Sequence, residues 1–325
     1  MSCSYSIVDV FSTVPYKGNP LAVVANTTHS LTTTQMQLIA RQFNLSETTF
    51  ICPPTKPDST YRLRSFLPNG GEVFGAGHNS LGAWWHIINS QQLQRGNGSE
   101  PNVYNQELGD DVLPVEVSGS PQTQINITMR QGRPQFLDKH PNKSTLADAL
   151  GINPSEIGFE YGQKTLSEPQ VVTTSAARHL LVPVRDKQVL DRIDFSNLEA
   201  LSRELAKTNS YNSGIYAFTL ANDEESVLKL EARFMSPGMG NEDPATGSAA
   251  GPLAALLFKN GIISVAYCGK AEIQVAQGLK KGRRCLMKLT VQKDAGSGLV
   301  DIHISGTAVL VAEGNIVVPP VDIDF

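Results

Sequence analysis

Three short runs hold the residues best suited to chemistry. N-L-S-E-T-T-F (44–50) carries Glu47, G-A-G-H-N-S (75–80) carries His78, and N-E-D-P-A-T-G-S-A-A-G (241–251) carries Asp243. Glu47 follows a helical pattern and precedes an apolar strand, so it is either an exposed turn residue or a partly buried base. Burial would raise its pKa toward neutrality, which suits general acid/base work. His78 sits beside glycines at a helix start, where the local field disfavours imidazolium. A neutral imidazole there can orient a substrate or shuttle a proton, and it can equally be a satisfied core histidine. Asp243 followed by Pro244 has the composition of a helix cap with proline at the first helical position, so ordinary capping is its plain alternative. Helix N-termini leave backbone N–H groups unpaired, and the small residues at Gly77, Gly247 and Ser248 let a ligand approach that backbone. Two such termini facing one cleft could hold a carboxylate or an oxyanion beside an enolate.

Other chemistries find little support. G-A-G-H lacks the spacing of a dinucleotide loop, and no G-x-S-x-G elbow exists. Cys3, Cys52, Cys268 and Cys285 are scattered, form no C-x-x-C pair and lie outside both helix-start runs. The six histidines show no ligand spacing, so no metal is expected. Net charge is −4 with 18% charged residues and no basic run, which argues against nucleic acid. No apolar run is long enough for a membrane span. The opening M-S-C-S-Y-S-I-V-D-V-F reads as a first strand, not a signal peptide. A reduced, cytoplasmic protein is the plain expectation. Tyr211 and Arg233 could contact a substrate, but nothing local singles them out.

The elements that must position these residues follow from periodicity. Ser4–Phe11 and Leu21–Ala25 read as strands joined by K-G-N-P. Thr32 and Gln35 have capping-box spacing, and Met36, Ile39, Ala40 and Phe43 form one apolar stripe of a helix that ends near Asn44. Thr48–Cys52 and Tyr61–Phe66 are strands. Leu81, Trp84, Trp85 and Ile88 form the apolar face of a second helix. The polar segment 89–110 reads as a surface loop, and 131–144 as a domain boundary. Strands follow at 112–130, 171–174, 179–184, 214–220 and 227–235, with helical stretches at 145–150, 196–208 and 253–258. Pro252 argues that the last of these starts near 247–251. From 262 the chain alternates as an antiparallel meander. Strands outnumber helices without a β-α-β rhythm, an α+β pattern.

The chain has 325 residues, which fits two domains, read here as 1–130 with Glu47 and His78, and 131–325 with Asp243. The extreme C-terminus is left open to return to the first. A shift of about 168 positions aligns Asn44 with Asn212, Phe50 with Phe218, Phe66 with Phe234 and Ser80 with Ser248. The alternation phase does not agree throughout, so duplication and chance both stay open. The same shift sets Ile215 opposite Glu47.

D-V-F (9–11), G-N-P-L-A-V-V (18–24), N-L-S-E-T-T-F, G-H-N-S-L-G (77–82) and E-D-P-A-T-G-S-A-A-G (242–251) together resemble the PhzF-like (phenazine biosynthesis-like) isomerase family, of the diaminopimelate-epimerase-like fold. The resemblance implies two similar domains, each a curved, mostly antiparallel sheet around a central helix, with a site in the cleft between them. It implies chemistry without a cofactor, a small carboxylic-acid substrate and a homodimer. Glu47 matches the family's general acid/base, His78 the histidine of its G-H motif, and Asp243 an acid that assists binding or proton transfer. Gly77, Gly247 and Ser248 match positions lining the polar cleft. The usual run after G-H is closer to A-T-L-G or P-T-L-G, so Asn79 adds a polar group that would bear on substrate choice. The thiol pair of the fold's amino-acid epimerases is missing.

The reaction these residues imply is a one-base proton shift. Glu47 would remove an acidic C–H proton and return it at another carbon on the same face. The rivals are a non-catalytic metabolite-binding or scaffold protein on the same fold, and a two-base epimerase with His78 or Asp243 as second base.

Overall fold

The computed structural model describes residues 2–28, 30–75, 77–93, 101–210, 213–221, 227–265, 269–293 and 300–325. The chain divides into two compact units, one of 1–130 with 305–325 and one of 131–304.

The first unit opens with β1 (Ser2–Val10) and β2 (Asn19–Ala25), followed by α1 (Thr33–Phe43). In α1 the Thr32 hydroxyl accepts from Gln35 N while the Gln35 side chain returns to Thr32 N, so two orphan donors are satisfied. Asn44 closes the helix in the left-handed region. Next come β3 (Thr48–Cys52), β4 (Tyr61–Phe66), β5 (Glu72–Val73), α2 (His78–Asn89), β6 (Asn102–Leu108), β7 (Asp111–Ser118) and β8 (Asn126–Arg130). The pairings β1/β2, β3/β4, β4/β5, β6/β7 and β7/β8 are antiparallel. The pairings β2/β3 and β4/β6 are parallel. Parallel neighbours need a crossover, and α1 and α2 are those crossovers.

α2 differs from the one-faced helix read in the sequence. Every residue from His78 to Ile88 is buried. The helix is the centre of the unit, packed on β1, β2, β3, β4 and β8, so it has no solvent face to be amphipathic about. The expected loop at 89–110 also needs correction, because Asn102–Leu108 is a strand. Its polar residues hid it, and its identity comes from β4 on one side and β7 on the other.

The second unit contains β9 (Gln135–Lys139), α3 (Lys143–Leu150), β10 (Phe159–Tyr161), β11 (Lys164–Leu166), β12 (Gln170–Thr173), β13 (His179–Pro183), α4 (Lys187–Arg192) and α5 (Leu198–Ala206). It continues with β14 (Ile215–Leu220), β15 (Leu228–Met235), β16 (Glu242–Asp243), α6 (Gly247–Lys259), β17 (Lys270–Gln277), β18 (Cys285–Lys293) and β19 (Val300–Gly306). The unit boundary falls inside β19, after which β20 (Ala308–Val317) pairs antiparallel with β1. α3, α4 and α5 bury Leu146, Leu150, Val189, Leu190, Leu201 and Leu205 against Val171, Leu180, Val182 and Ile215 of the sheet. The other unit boundary falls at 130/131, where the stretch 131–144 read as a boundary begins, and that stretch contains β9, which pairs with β12.

The two units repeat one plan. β12/β13 is antiparallel, β13/β14 parallel, β14/β15 antiparallel and β15/β17 parallel, matching β1/β2, β2/β3, β3/β4 and β4/β6. A shift of 168 carries the pair Thr48–Phe66 onto Tyr216–Phe234. It also carries Arg62–Glu107 onto Leu230–Val275. The sequence echo is therefore a shared hydrogen-bond register. Each unit also pins the hairpin before its central helix with an Arg–Glu fork. Arg64 Nε and Nη2 meet the two Glu72 oxygens at 2.7 Å each, and Arg233 meets Glu242 at 3.0 and 2.9 Å.

Candidate active site

In the first unit the candidate residues converge at the start of α2. Glu47 lies on the lead into β3, and its Oε2 is 2.9 Å from His78 Nε2. Ser46 Oγ stands 3.4 Å from the same nitrogen and 3.5 Å from Asn19 Oδ1. The pair is nearly enclosed, with 15% of the Glu47 side chain and 8% of the His78 side chain exposed. Burial pushes the Glu47 carboxyl up. The facing His78 charge and hydrogen bonds from His78 and Ser46 outweigh it, and the carboxyl titrates below its ordinary value. This corrects the expectation that burial raises Glu47 toward neutrality. The structure holds Glu47 as a carboxylate, the form that accepts a proton.

The loop before α2 is built around Asn79. Gly77 N–H donates to Asn79 Oδ1 at 3.0 Å, and Asn79 Nδ2 donates to Gly75 O and Ser65 Oγ, each at 3.1 Å. Asn79, expected from sequence to touch substrate, thus spends these bonds on fixing the helix start. A groove of about 440 Å³ at the other end of α2, lined by Ser4, Ser6, His86, Ser90, Gln92 and Glu313, contains none of the candidate residues.

In the second unit Asp243 closes β16, paired with Phe234. It is not the cap of α6, as its composition suggests. The cap is Thr246, three residues later, and the Thr246 hydroxyl donates to Asp243 Oδ2 at 2.6 Å. Gly247 opens α6, which places Pro252 inside the helix. Ser248 Oγ lies 2.9 Å from Nε2 of His179, a buried imidazole edge-on to Phe234. Burial lowers the His179 pKa to about 4, so its ring is neutral near pH 7. Arg233, open as a substrate contact in the sequence, is committed to Glu242 and to the carbonyls of Leu190 and Ile193. Tyr211 lies outside the described residues.

Sequence reading missed Ser46, Thr246, His179 and Gln277, the last a buried β17 residue whose Nε2 donates to Asp243 O and Thr246 Oγ1. The first two lie within the recognised runs. His179 and Gln277 come from distant strands and had no local signal. Cys3, Cys52 and Cys285 are buried thiols outside any disulfide, and none belongs to either helix start.

The profile of the phenazine biosynthesis-like protein family matches residues 8–314. The chain belongs to that family. An isomerase of Mesorhizobium japonicum, of uncharacterised reaction, is 31% identical over 322 residues, covering 96% of this chain and 98% of the relative. The trans-2,3-dihydro-3-hydroxyanthranilate isomerase of Pseudomonas fluorescens is 30% identical, covering 97% and 99%. The crystal structure of the Bacillus anthracis phenazine biosynthesis protein of the PhzF family matches with a TM-score of 0.83 and 25% identity, covering 98% and 99%. This PhzF-like chain therefore has the two-domain α+β epimerase-like architecture and an isomerase-type fold.

Proposed function

We propose that this PhzF-like protein is a cofactor-independent isomerase that shifts a proton within a small carboxylate- or carbonyl-bearing metabolite. The observation that carries the reading is the Glu47 carboxylate, 2.9 Å from His78 at the start of a buried helix and below its ordinary pKa. Glu47 removes a proton from a carbon next to, or vinylogous with, the activating group. The C–H electron pair enters the conjugated system as an enolate or dienolate, and Glu47 returns the proton to another carbon. Substrate and product are isomers, so no oxidant or reductant is consumed. His78 stabilises the Glu47 carboxylate before it takes the proton and again once the proton has been returned. First-turn N–H groups of a helix have no acceptor inside it, and those of α2 supply polarity for the developing negative charge. For the second unit the family resemblance supports Asp243 as an acid that assists binding or proton transfer, with Gly247 and Ser248 as substrate contacts.

The test is solvent-deuterium incorporation across unsaturated, amino and hydroxy carboxylic acids. The panel starts with trans-2,3-dihydro-3-hydroxyanthranilate, the substrate in the name of the Pseudomonas relative. Glu47→Gln should keep the fold and lower incorporation by about 10²–10⁴-fold, the usual worth of a general base. Incorporation at the wild-type rate in that variant would remove Glu47 from the mechanism.

A further inference from the structure

The turn into α6 contains a hydrogen-bond chain whose direction can be read from its ends. Gln277, the last residue of β17, is fully buried. Its Oε1 accepts from Thr246 N at 3.2 Å. Its Nε2 donates to Asp243 O at 2.8 Å and to Thr246 Oγ1 at 3.0 Å. Reversing the carboxamide would set an NH₂ against the Thr246 N–H and an oxygen against the Asp243 carbonyl. Both contacts would become repulsive, so the orientation is fixed. Thr246 Oγ1 thus accepts a hydrogen bond from Gln277 Nε2, and its own O–H is directed at Asp243 Oδ2, 2.6 Å away. A hydroxyl that donates into a carboxyl oxygen favours the ionised carboxylate.

The backbone is shaped to bring Gln277 there. Gly278 has φ +79°, and a Cβ on it would lie 2.1 Å from Arg283 O and 2.8 Å from Pro244 O. A side chain at 278 would push the end of β17 off the turn that carries Asp243.

We propose that Gln277 is a positioning residue: through Thr246 it fixes Asp243 as a hydrogen-bond acceptor. The inference rests on the reading that Asp243 takes part in binding or proton transfer, but its first test needs no substrate. Tyr216 of β14, Cys285 of β18, the Arg233–Glu242 fork and His179 of β13, which faces Ser248 and Phe234, are ionisable groups around this turn, and Arg283 is bonded to Gly278 beside it. Burial and the Asp243 charge push the Tyr216 phenol up, and thiols ionise far above the carboxyl range, so neither reports in acid. Glu242, and His179, whose pKa burial lowers to about 4, are each resolved by their own resonances.

The experiment is a ¹³C-carboxyl NMR titration of Asp243 in the wild type, Thr246→Val, Gln277→Met and the double variant, with thermal melting as the folding control. Each single variant should raise the Asp243 midpoint by about one pH unit. The double variant should match Thr246→Val, because Gln277 acts through Thr246. A Gln277→Met midpoint equal to wild type, or additive shifts, would overturn the proposal. If Gln277→Met does not fold, Gln277→Glu keeps the size and the oxygen facing Thr246 N. It must raise the midpoint more when Thr246 is intact than when it is combined with Thr246→Val, and equal shifts would overturn the proposal. With a substrate in hand, Gln277→Met should lower kcat roughly tenfold. If the midpoints shift while kcat stays at the wild-type value, the Asp243 reading fails and the relay stands.

Discussion

Gly82→Ala is the substitution most revealing of how the fold places His78. Gly82 is the fifth residue of α2, one turn after His78. A Cβ there would lie 2.6 Å from Leu21 Cδ2, 2.7 Å from Val10 Cγ2 and 3.2 Å from Val8 Cγ2. Comfortable carbon contacts need about 3.5–4.0 Å, so the methyl asks for roughly 1 Å of movement. Leu21, Val10 and Val8 are fully buried, and the valines are stiff at χ1. Overpacking of this kind costs about 1–3 kcal/mol, and the upper end applies where neither side can yield. Alanine in a helix interior returns about 1 kcal/mol relative to glycine. The net loss is about 2 kcal/mol, a melting temperature lower by about 4–8 °C for units of this size. The same movement carries His78 away from Glu47, and a misplacement of 1 Å can cost about 10²-fold in rate. Differential scanning calorimetry and deuterium incorporation measure both effects. The control is Gly251→Ala, at the fifth residue of α6, where the new methyl meets the Gln131 side chain at 2.9 Å rather than a closed sheet. That variant should change stability by less than about 1 kcal/mol. A Gly82→Ala protein that melts higher than wild type with full activity would refute the close-approach argument.

Three further outcomes follow from the same geometry. Arg233→Met leaves Glu242 without its fork, and with those side chains 10% and 9% exposed it should lose about 3–5 kcal/mol in a denaturant titration. Thr32→Ala removes the hydroxyl of the α1 capping box and should cost about 1 kcal/mol with m unchanged, read from the same titration. Because Glu47 titrates below its ordinary value of 4.5, its stabilisation is complete above that pH and is lost as pH falls through the lower folded value. The acid limb of the deuterium-incorporation profile should then lie below pH 4.5 and move up in His78→Ala. A wild-type limb near neutrality would mean that burial outweighs His78.

Local pattern made much of the frame legible. The Thr32–Gln35 box, the Asn44 stop and the bounds Thr48–Cys52 and Tyr61–Phe66 all follow from spacing alone. Elements defined by their neighbours were not legible. β6 is polar and sits between two strands, and β9 is a largely exposed edge-like strip that exists through β12. α4 has only six residues, with too few apolar positions to show a period, and is marked chiefly by the Asp186 side chain accepting from Val189 N. At the site, Glu47 and His78 could be named from their runs, but not the sign of the Glu47 shift. That sign depends on a 2.9 Å contact between residues 31 positions apart. Gln277 could not be named at all, since the turn it orders lies 31 residues upstream of it.

The repeat clarifies why the two carboxylates are not copies. Under the shift of 168, His78 corresponds to Thr246, and both stand where the central helix begins. Each lies within hydrogen-bond distance of a carboxylate, at 2.9 Å from Glu47 and 2.6 Å from Asp243. Yet the acids occupy different places in the frame. Glu47 precedes β3, where the second unit has the fully buried Ile215. Asp243 ends the hairpin strand β16, where the first unit has Gly75. A carboxylate inherited by both halves would occupy one position. These occupy two, and each meets the helix-start residue of its own unit, His78 or Thr246. The partners differ accordingly. An imidazole can give up and regain a proton near neutral pH, whereas a threonine hydroxyl can only direct one. In the proposed reading the first unit holds the pair that carries a proton, and the second a carboxylate oriented by Thr246 and Gln277. One register thus frames two different side-chain arrangements, and the asymmetry lies in a few side chains around an otherwise shared helix start.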